Sequence, residues 1–396
     1  MTGLQEFERI AFADASGFPA IPPGFISLSC SRAILPYSST RRRMGMKILI
    51  VSDAWVPQTN GVVTTLSQTV AHLRQFGHTV RVVTPDQFRT FPCPTYPEIR
   101  VALFPYRRMA QLIEAWQPQA LHIATEGPLG FAARRYCVRH GLRFTTSYHT
   151  QFPQYLRQRF PVPTALSYRG LRWFHGAAHT CMVSTPTVEA QLVERGFRNV
   201  SRWRRGVDTR LFRPQSKDFL SLPRPIAAYV GRVAVEKNVD AFLSMPWLGS
   251  KLVIGDGPER PRCQAQFPDA TFVGYQRGEA LARHLAAADV LVFPSLTDTF
   301  GLVNLEAMAC GVPVAAYPVA GPIDVIDDGI TGSLHEDLAT AAVRALSIDP
   351  HACRKRAERS GWDVCSREFE SNLTAVKPSS VAVQQRRRVA VDSVAN

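Results

Sequence analysis

Several residues in this sequence have types and spacings that could do chemistry together. Arg232 and Lys237, in GRVAVEKN, lie close enough along the chain to bring two cations to one diphosphate. Asp298 and Glu306 frame a glycine-bearing loop, TDTFG, followed by LVNLEA. If a helix begins there, the backbone N–H groups of Thr299, Phe300, Gly301, Leu302 and Val303 crowd a positive dipole end, which is a seat for an anion. Gly255, Asp256 and Gly257 follow the apolar run KLVI, and Asn60 with Gly61 lies in the loop after KILIVS. A glycine at such a turn lets backbone approach a ligand closely. His149, with Thr150, ends the run RFTTSYHT.

The elements that must position these groups can be read from periodicity. DVLVF, the TDTFG loop, a helical stretch and VPVAAY make a strand, loop, helix and strand, the grammar of a parallel α/β layer. Ligands of such layers bind at the carboxyl ends of the strands. Earlier, KILIVS opens a first layer. Val62, Val63, Leu66, Val70, Leu73 and Phe76 follow at helical spacing, and Gly77 stops that helix before HTVRVVT. IRVALF, a helix through Gln111 to Trp116, ALHIAT, a helix from Leu129 to His140, and RFTTSYHT read as further αβ units. A second layer begins at IAAYVGR and repeats the architecture without repeating the sequence.

Composition narrows the function. The chain has 396 residues, 45% hydrophobic and 20% charged, enough to bury two or three domain cores. No uninterrupted apolar run reaches membrane-spanning length, and no basic region leads into an apolar core at the amino terminus. Eight cysteines form no CxxC pair and sit in apolar patterns, so reduced thiols filling a cytoplasmic core are expected. The net charge of +14 is unevenly placed: residues 46–205 hold 20 Lys and Arg against 7 Asp and Glu, whereas residues 206–376 hold 17 against 21. A basic half points to an anionic membrane surface or polyanionic partner, with a solvated Arg-rich surface as the plain alternative. Between Tyr155 and Phe174, Arg157, Arg159, Arg169 and Arg172 interleave with aromatics, either a face for lipid headgroups or the cover of a sheet.

Two absences matter. The sequence has neither a D-x-D carboxylate pair, the usual grip on a metal-bound diphosphate, nor a GxxxxGK[ST] phosphate loop. A departing diphosphate would then be neutralised by Arg232, Lys237 and a helix tip, with no metal ligand and no cofactor expected. GDGPER begins like a dinucleotide fingerprint, but Arg260 stands at the third glycine position and no acidic ribose residue fits, which argues against hydride transfer.

The order of GRVAVEKN, LVIGDGP and FPSLTDTFGLVNLEA resembles the retaining glycosyltransferases of family 4, group 1, whose signature is a carboxylate, seven residues and a Glu. That family usually has Glu first; the Asp298 form is similar to GDP-mannose-dependent α-mannosyltransferases and relatives of the sulfoquinovosyl-lipid synthases. The resemblance runs from Met46 to about Leu373 and includes YHTQFPQYL and RGVDTRLFRP. It implies a GT-B architecture of two Rossmann-like parallel-sheet domains facing across a cleft. It further implies that Arg232 and Lys237 hold the leaving nucleoside diphosphate, Glu306 the ribose, and Asp298 and His149 the donor sugar. The same resemblance implies that Gly255, Asp256 and Gly257 lie beneath the base and that the Asn60–Gly61 loop lies near the pyrophosphate and acceptor, where relatives show two glycines.

The expected organisation is a disordered extension or mis-called start over 1–45, with Met44 or Met46 as the functional start in the latter case, an acceptor domain over 46–205, a linker over 206–223, a nucleotide-sugar domain over 224–358, a helix over 359–376 crossing back, and a disordered tail over 377–396. The expected activity is metal-independent, configuration-retaining transfer of a hexose, first mannose from GDP-mannose, to a lipid or glycan acceptor. The expected place is the cytoplasm, peripheral at the inner face of the membrane, with no nucleic acid involved. The alternatives are a UDP-sugar-dependent glucosyl or sulfoquinovosyl transferase, a nucleotide-sugar epimerase on the same fold, and a binding scaffold with a decayed site.

Overall fold

A computed structural model describes residues 45–93, 96–159 and 163–376. The expectations for residues 1–44 and 377–396 lie outside the described residues, as does Phe160.

The first lobe runs β1 (Lys47–Val51), α1 (Gly61–Gln75), β2 (Thr79–Val83), β3 (Thr90–Cys93), β4 (Tyr96–Ala102), α2 (Tyr106–Trp116), β5 (Ala120–Ile123), α3 (Pro128–His140), β6 (Thr145–Ser147), α4 (Phe152–Arg159), α5 (Thr164–Gly176), β7 (Thr180–Val183), α6 (Pro186–Glu194) and β8 (Val200–Arg202). Its six-stranded sheet has the order β2-β1-β5-β6-β7-β8, with every pairing parallel. The apolar run KILIV becomes β1 because both of its faces are covered, and Ile48 to Val51 are fully buried. In α1 the expected helical spacing buries Val63, Leu66, Val70 and Leu73, and Gly77 at φ +91° turns the chain out of the helix.

The second lobe runs β9 (Ile226–Val230), α7 (Val239–Ser244), β10 (Ser250–Ile254), α8 (Arg260–Gln266), β11 (Thr271–Gly274), α9 (Gly278–Ala287), β12 (Val290–Phe293), α10 (Leu302–Ala309), β13 (Val314–Ala316), α11 (Pro322–Val325), β14 (Gly332–Leu334), α12 (Leu338–Ala345) and α13 (Pro350–Glu358). Its sheet order is β11-β10-β9-β12-β13-β14, again all parallel. Cores lie on both faces of this sheet, one around Ile226, Leu291 and Met308, the other around Ala227, Phe242 and Val292. α14 (Trp362–Asn372) then returns to the first lobe, where Trp362, Cys365 and Phe369 pack with Ile48, Leu66 and Trp203.

Two sequence expectations need correction. IRVALF does not join the parallel layer: β4 pairs antiparallel with β3 in a separate hairpin, because a short loop between neighbouring strands permits only that pairing. The helix expected over 359–376 is confined to α14, Trp362–Asn372, and a break at Gly361 separates it from α13, which ends at Glu358. The intervening Gly361 takes extended dihedrals, and a Cβ on Gly206 would fall 2.8 Å from Trp362, so the chain turns there at close backbone approach. Within the aromatic and basic face, Phe174 belongs to the first-lobe core, whereas Trp173 is exposed, stacked on Phe131 with Arg134 3.6 Å from its ring. Among the described residues no helix is long and apolar enough to cross a membrane.

Candidate active site

The loop between β12 and α10 sits on the seam between the lobes. Gly301 precedes α10 at φ +78°, and a Cβ there would lie 2.7 Å from Asn304 Nδ2 and 2.8 Å from the Phe293 ring, so glycine alone fits. Gly321, at φ +98°, packs against the backbone of Asp298 through Phe300 from the other side. Among the described residues no side chain caps α10, which leaves the first-turn N–H groups without a side-chain acceptor there. Phe300 and Val303 point into the second-lobe core and can serve a ligand through backbone alone. Leu302 instead packs on the first-lobe core, 3.6 Å from where a Cβ on Gly61 would stand.

Polar contacts join this loop to the first lobe. Thr299 Oγ1 donates to the His149 carbonyl at 2.7 Å, and the Thr299 carbonyl accepts from Ser184 Oγ at 2.9 Å. Gln151 Nε2 donates to the Asp298 carbonyl at 3.4 Å, and Asp324 Oδ1 accepts from Thr187 N and Oγ1 at 3.2 and 2.9 Å. The carboxyl ends of β6 and β7 therefore face the amino end of α10 across the seam.

Lys237 and Asp298 meet there. Lys237 Nζ donates to both Asp298 oxygens, at 2.6 and 2.9 Å, from a short 3₁₀ turn (Val235–Lys237) rather than from the first turn of α7. Arg232 follows β9; its carbonyl accepts from the buried Tyr229 hydroxyl at 2.7 Å. Burial raises the Tyr229 phenol above its ordinary range, and that phenol lies within electrostatic reach of Lys237, Asp298, Glu236 and Arg232. Glu306, in the middle of α10, is half-buried with no donor to its carboxylate among the described residues, and burial pushes its pKa up to about 7.

The remaining expected residues are placed as follows. Gly255, at φ +155°, lies against Gly231, where a Cβ would fall 1.8 Å from the Gly231 carbonyl. Gly257 is equally tight against Val233, and so the loops after β9 and β10 are joined backbone to backbone. The Asp256 side chain accepts from Gly257 N and from Arg260 Nη1, both at 2.8 Å. Asn60 is committed to its own helix, Oδ1 capping α1 by accepting from Val63 N at 3.0 Å. His149 Nδ1 lies 3.2 Å from Arg205 Nη2, and its Nε2 has no partner among the described residues. Burial first, then Arg205, His122 and His175, hold its pKa well below the ordinary histidine value.

Arg205, Gln151, Ser184, Thr187 and Asp324 were not expected at the site. Polar residues directly after the apolar run TCMV were the available signal for Ser184, and Arg205 opens the family-like stretch RGVDTRLFRP, which marks a linker without giving that residue a role.

This architecture is shared with solved structures: sucrose-phosphate synthase from Thermosynechococcus elongatus (TM-score 0.68, 21% identity, 82% of this chain and 98% of that one) and Anabaena HepE in complex with UDP and glucose (TM-score 0.63, 15% identity, 82% and 98%). Two parallel-sheet lobes with their strand ends meeting at a seam define the GT-B class of glycosyltransferases. Residues 224–348 match the family described as Glycosyl transferases group 1, and residues 59–211 match Glycosyltransferase Family 4. A GDP-mannose-dependent alpha-mannosyltransferase of Mycobacterium tuberculosis is 31% identical over 369 residues, covering 84% of this chain and 97% of that protein. The Mycolicibacterium smegmatis protein of the same name is 30% identical, covering 84% and 98%, and the Arabidopsis thaliana sulfoquinovosyl transferase SQD2 is 30% identical, covering 74% and 66%. The chain belongs to the group 1, family 4 glycosyltransferases.

Proposed function

We propose that this protein transfers a hexose, mannose from GDP-mannose, to a hydroxyl of a lipid or glycan acceptor with retention of the anomeric configuration. The observation that carries this reading is the Lys237–Asp298 pair beside the uncapped start of α10, on the seam facing the first lobe. A diphosphate entering the seam draws Lys237 from Asp298 and receives Arg232 and the first-turn N–H groups of α10, so charge is met where it develops as the glycosidic bond breaks. Asp298, released, accepts from a sugar hydroxyl. Glu306 accepts from the ribose hydroxyls, and the glycine-tight loop at 255–257 lies under the base. The acceptor oxygen attacks the anomeric carbon on the face from which the diphosphate leaves, and a diphosphate oxygen takes its proton. Such a course requires positioning and electrostatics, with no protein nucleophile and no metal. The mannosyltransferase relatives support the choice of sugar.

A UDP-sugar donor, as in a sulfoquinovosyl-type transferase, is the second reading, supported by the likeness to SQD2. A thermal-shift panel of GDP, UDP and ADP, followed by incubation with GDP-mannose, tests both. Stabilisation by GDP over UDP is expected; preference for UDP, or no response to any diphosphate, overturns the mannosyl assignment.

The excess of Lys and Arg over residues 46–205 supports a peripheral place at an anionic membrane surface, where a lipid-linked acceptor would be presented.

A further inference from the structure

Arg205 is buried, 5% exposed, and no carboxylate pairs with it among the described residues. Burying an unpaired guanidinium is costly unless its N–H groups are used. They are: Nη1 donates to the Trp203 carbonyl and, at 3.2 Å, to that of Arg204, while the guanidinium carbon lies 4.3 Å from the centre of the Trp203 ring. Trp203 is itself fixed, fully buried against Phe369 of α14. The other terminal nitrogen, Nη2, lies 3.2 Å from His149 Nδ1.

A guanidinium can only donate. Nδ1 of His149 must therefore offer its lone pair, and in a neutral imidazole the proton then sits on Nε2. Nε2 is the nitrogen with no partner among the described residues. The surroundings hold the ring neutral as well. Arg205 from the stretch after β8, His122 from β5 and His175 from α5 all face it. From the second lobe, among the described residues, the Thr299 hydroxyl reaches this histidine and is used on its carbonyl. Glu126 engages the far side of His175 and Glu368 engages Arg204, so neither carboxylate contacts His149.

We propose that Arg205 is a positioning residue that holds His149 as the neutral Nε2–H tautomer. The imidazole then serves transfer as a hydrogen-bond donor to a hydroxyl oxygen of the sugar, and not as an acid or base. This rests on the reading of His149 as a donor-sugar residue, and the test separates the two.

The full chain, labelled with 15N at histidine, reports the tautomer of each imidazole through two-bond proton–nitrogen couplings, and His149→Gln assigns the resonance. Wild-type protein should show His149 with its proton on Nε2 at pH 7 and no titration down to pH 5.5. Arg205→Met should give mixed tautomers and a midpoint nearer the ordinary value of about 6.5. Arg205→Lys, which keeps a charged donor, should restore the Nε2–H form. Wild-type His149 found with its proton on Nδ1, or as imidazolium, overturns the proposal even if Arg205→Met fails to fold; an unchanged tautomer in a folded Arg205→Met also overturns it. Turnover is followed as release of mannose from GDP-mannose. Arg205→Met should lower kcat about tenfold with KM little changed, the loss of one well-aimed hydrogen bond. In a His149→Ala background the same change should have no further effect. If His149→Ala alone turns over at the wild-type rate, the donor-sugar reading fails while the tautomer result stands.

Discussion

Glu306 gives the sharpest test of the site. Its carboxyl, pushed up to about 7 by burial, is in large part protonated at pH 6 and ionised at pH 8. Only the ionised form accepts from two ribose hydroxyls at full strength. A midpoint near 7 leaves about one carboxylate in ten ionised at pH 6 and about nine in ten at pH 8, so GDP should bind about tenfold more weakly at the lower pH. The terminal phosphate of GDP also titrates near pH 6, so the informative quantity is wild type minus Glu306→Gln. Calorimetric titration at pH 6, 7 and 8 should show that difference falling to a plateau above pH 8. Parallel runs in two buffers of different ionisation enthalpy should count more protons released on binding to wild type than to the variant. Stability follows the same linkage with a defined sign. A carboxyl whose folded pKa is raised contributes stability that is complete below its unfolded value of 4.5 and lost as pH rises through about 7. Glu306→Gln should therefore gain in Tm over wild type at pH 8 and not at pH 4.5. Identical pH dependence of GDP binding in the two proteins would refute both the burial argument and the ribose assignment.

The ion pair makes opposite predictions for its two members. Lys237→Ala should weaken GDP about ten- to hundredfold, the value of a charge-assisted hydrogen bond, and abolish transfer. Asp298→Asn removes the competitor for Lys237; calorimetry should find GDP bound as tightly as by wild type or a few-fold tighter, with mannose release from GDP-mannose still lost. Gly301→Ala forces a side chain into φ +78° and onto Asn304 and the Phe293 ring; chemical denaturation should show a loss of about 1–3 kcal/mol, and diphosphate binding should fall with it. Flotation with vesicles should show binding to anionic and not to neutral lipid at low salt; equal binding to both would remove the electrostatic reading of the basic lobe.

Much of the fold was legible because parallel strands covered on both faces read as unbroken apolar runs. KILIV, IAAYV and VLVF announce themselves, and the loop after VLVF could be placed from its glycine and from the helix that follows. Single-strand patterns carry no information about partners, so the β3–β4 hairpin could not be told from a member of the layer. The helix break carries a local signal in Gly361, whereas the close approach of Gly206, which lies 155 positions earlier, carries none. At the site, Lys237, Asp298 and Gly301 were legible as a motif, and yet the pairing of Lys237 with Asp298 was not, since it spans 61 positions. Asn60 also has the type and place of a helix cap, and the sequence alone does not separate that use from a place beside a ligand. The contacts across the seam use hydroxyls and main-chain carbonyls, groups so common that only three-dimensional proximity distinguishes them.

The return of α14 to the first lobe has a consequence for how the protein is made. Ser201 Oγ donates to Asn372, 171 positions further along, and Trp203 rests on Phe369. On a ribosome, the amino-terminal half must wait, with the flank around Ile48, Leu66 and Trp203 bare, until nearly all of the carboxyl-terminal half has been synthesised. Nascent chains halted after the last strand of the second sheet should bind hydrophobic dyes or chaperones through that flank, and should release them once α14 has left the ribosome.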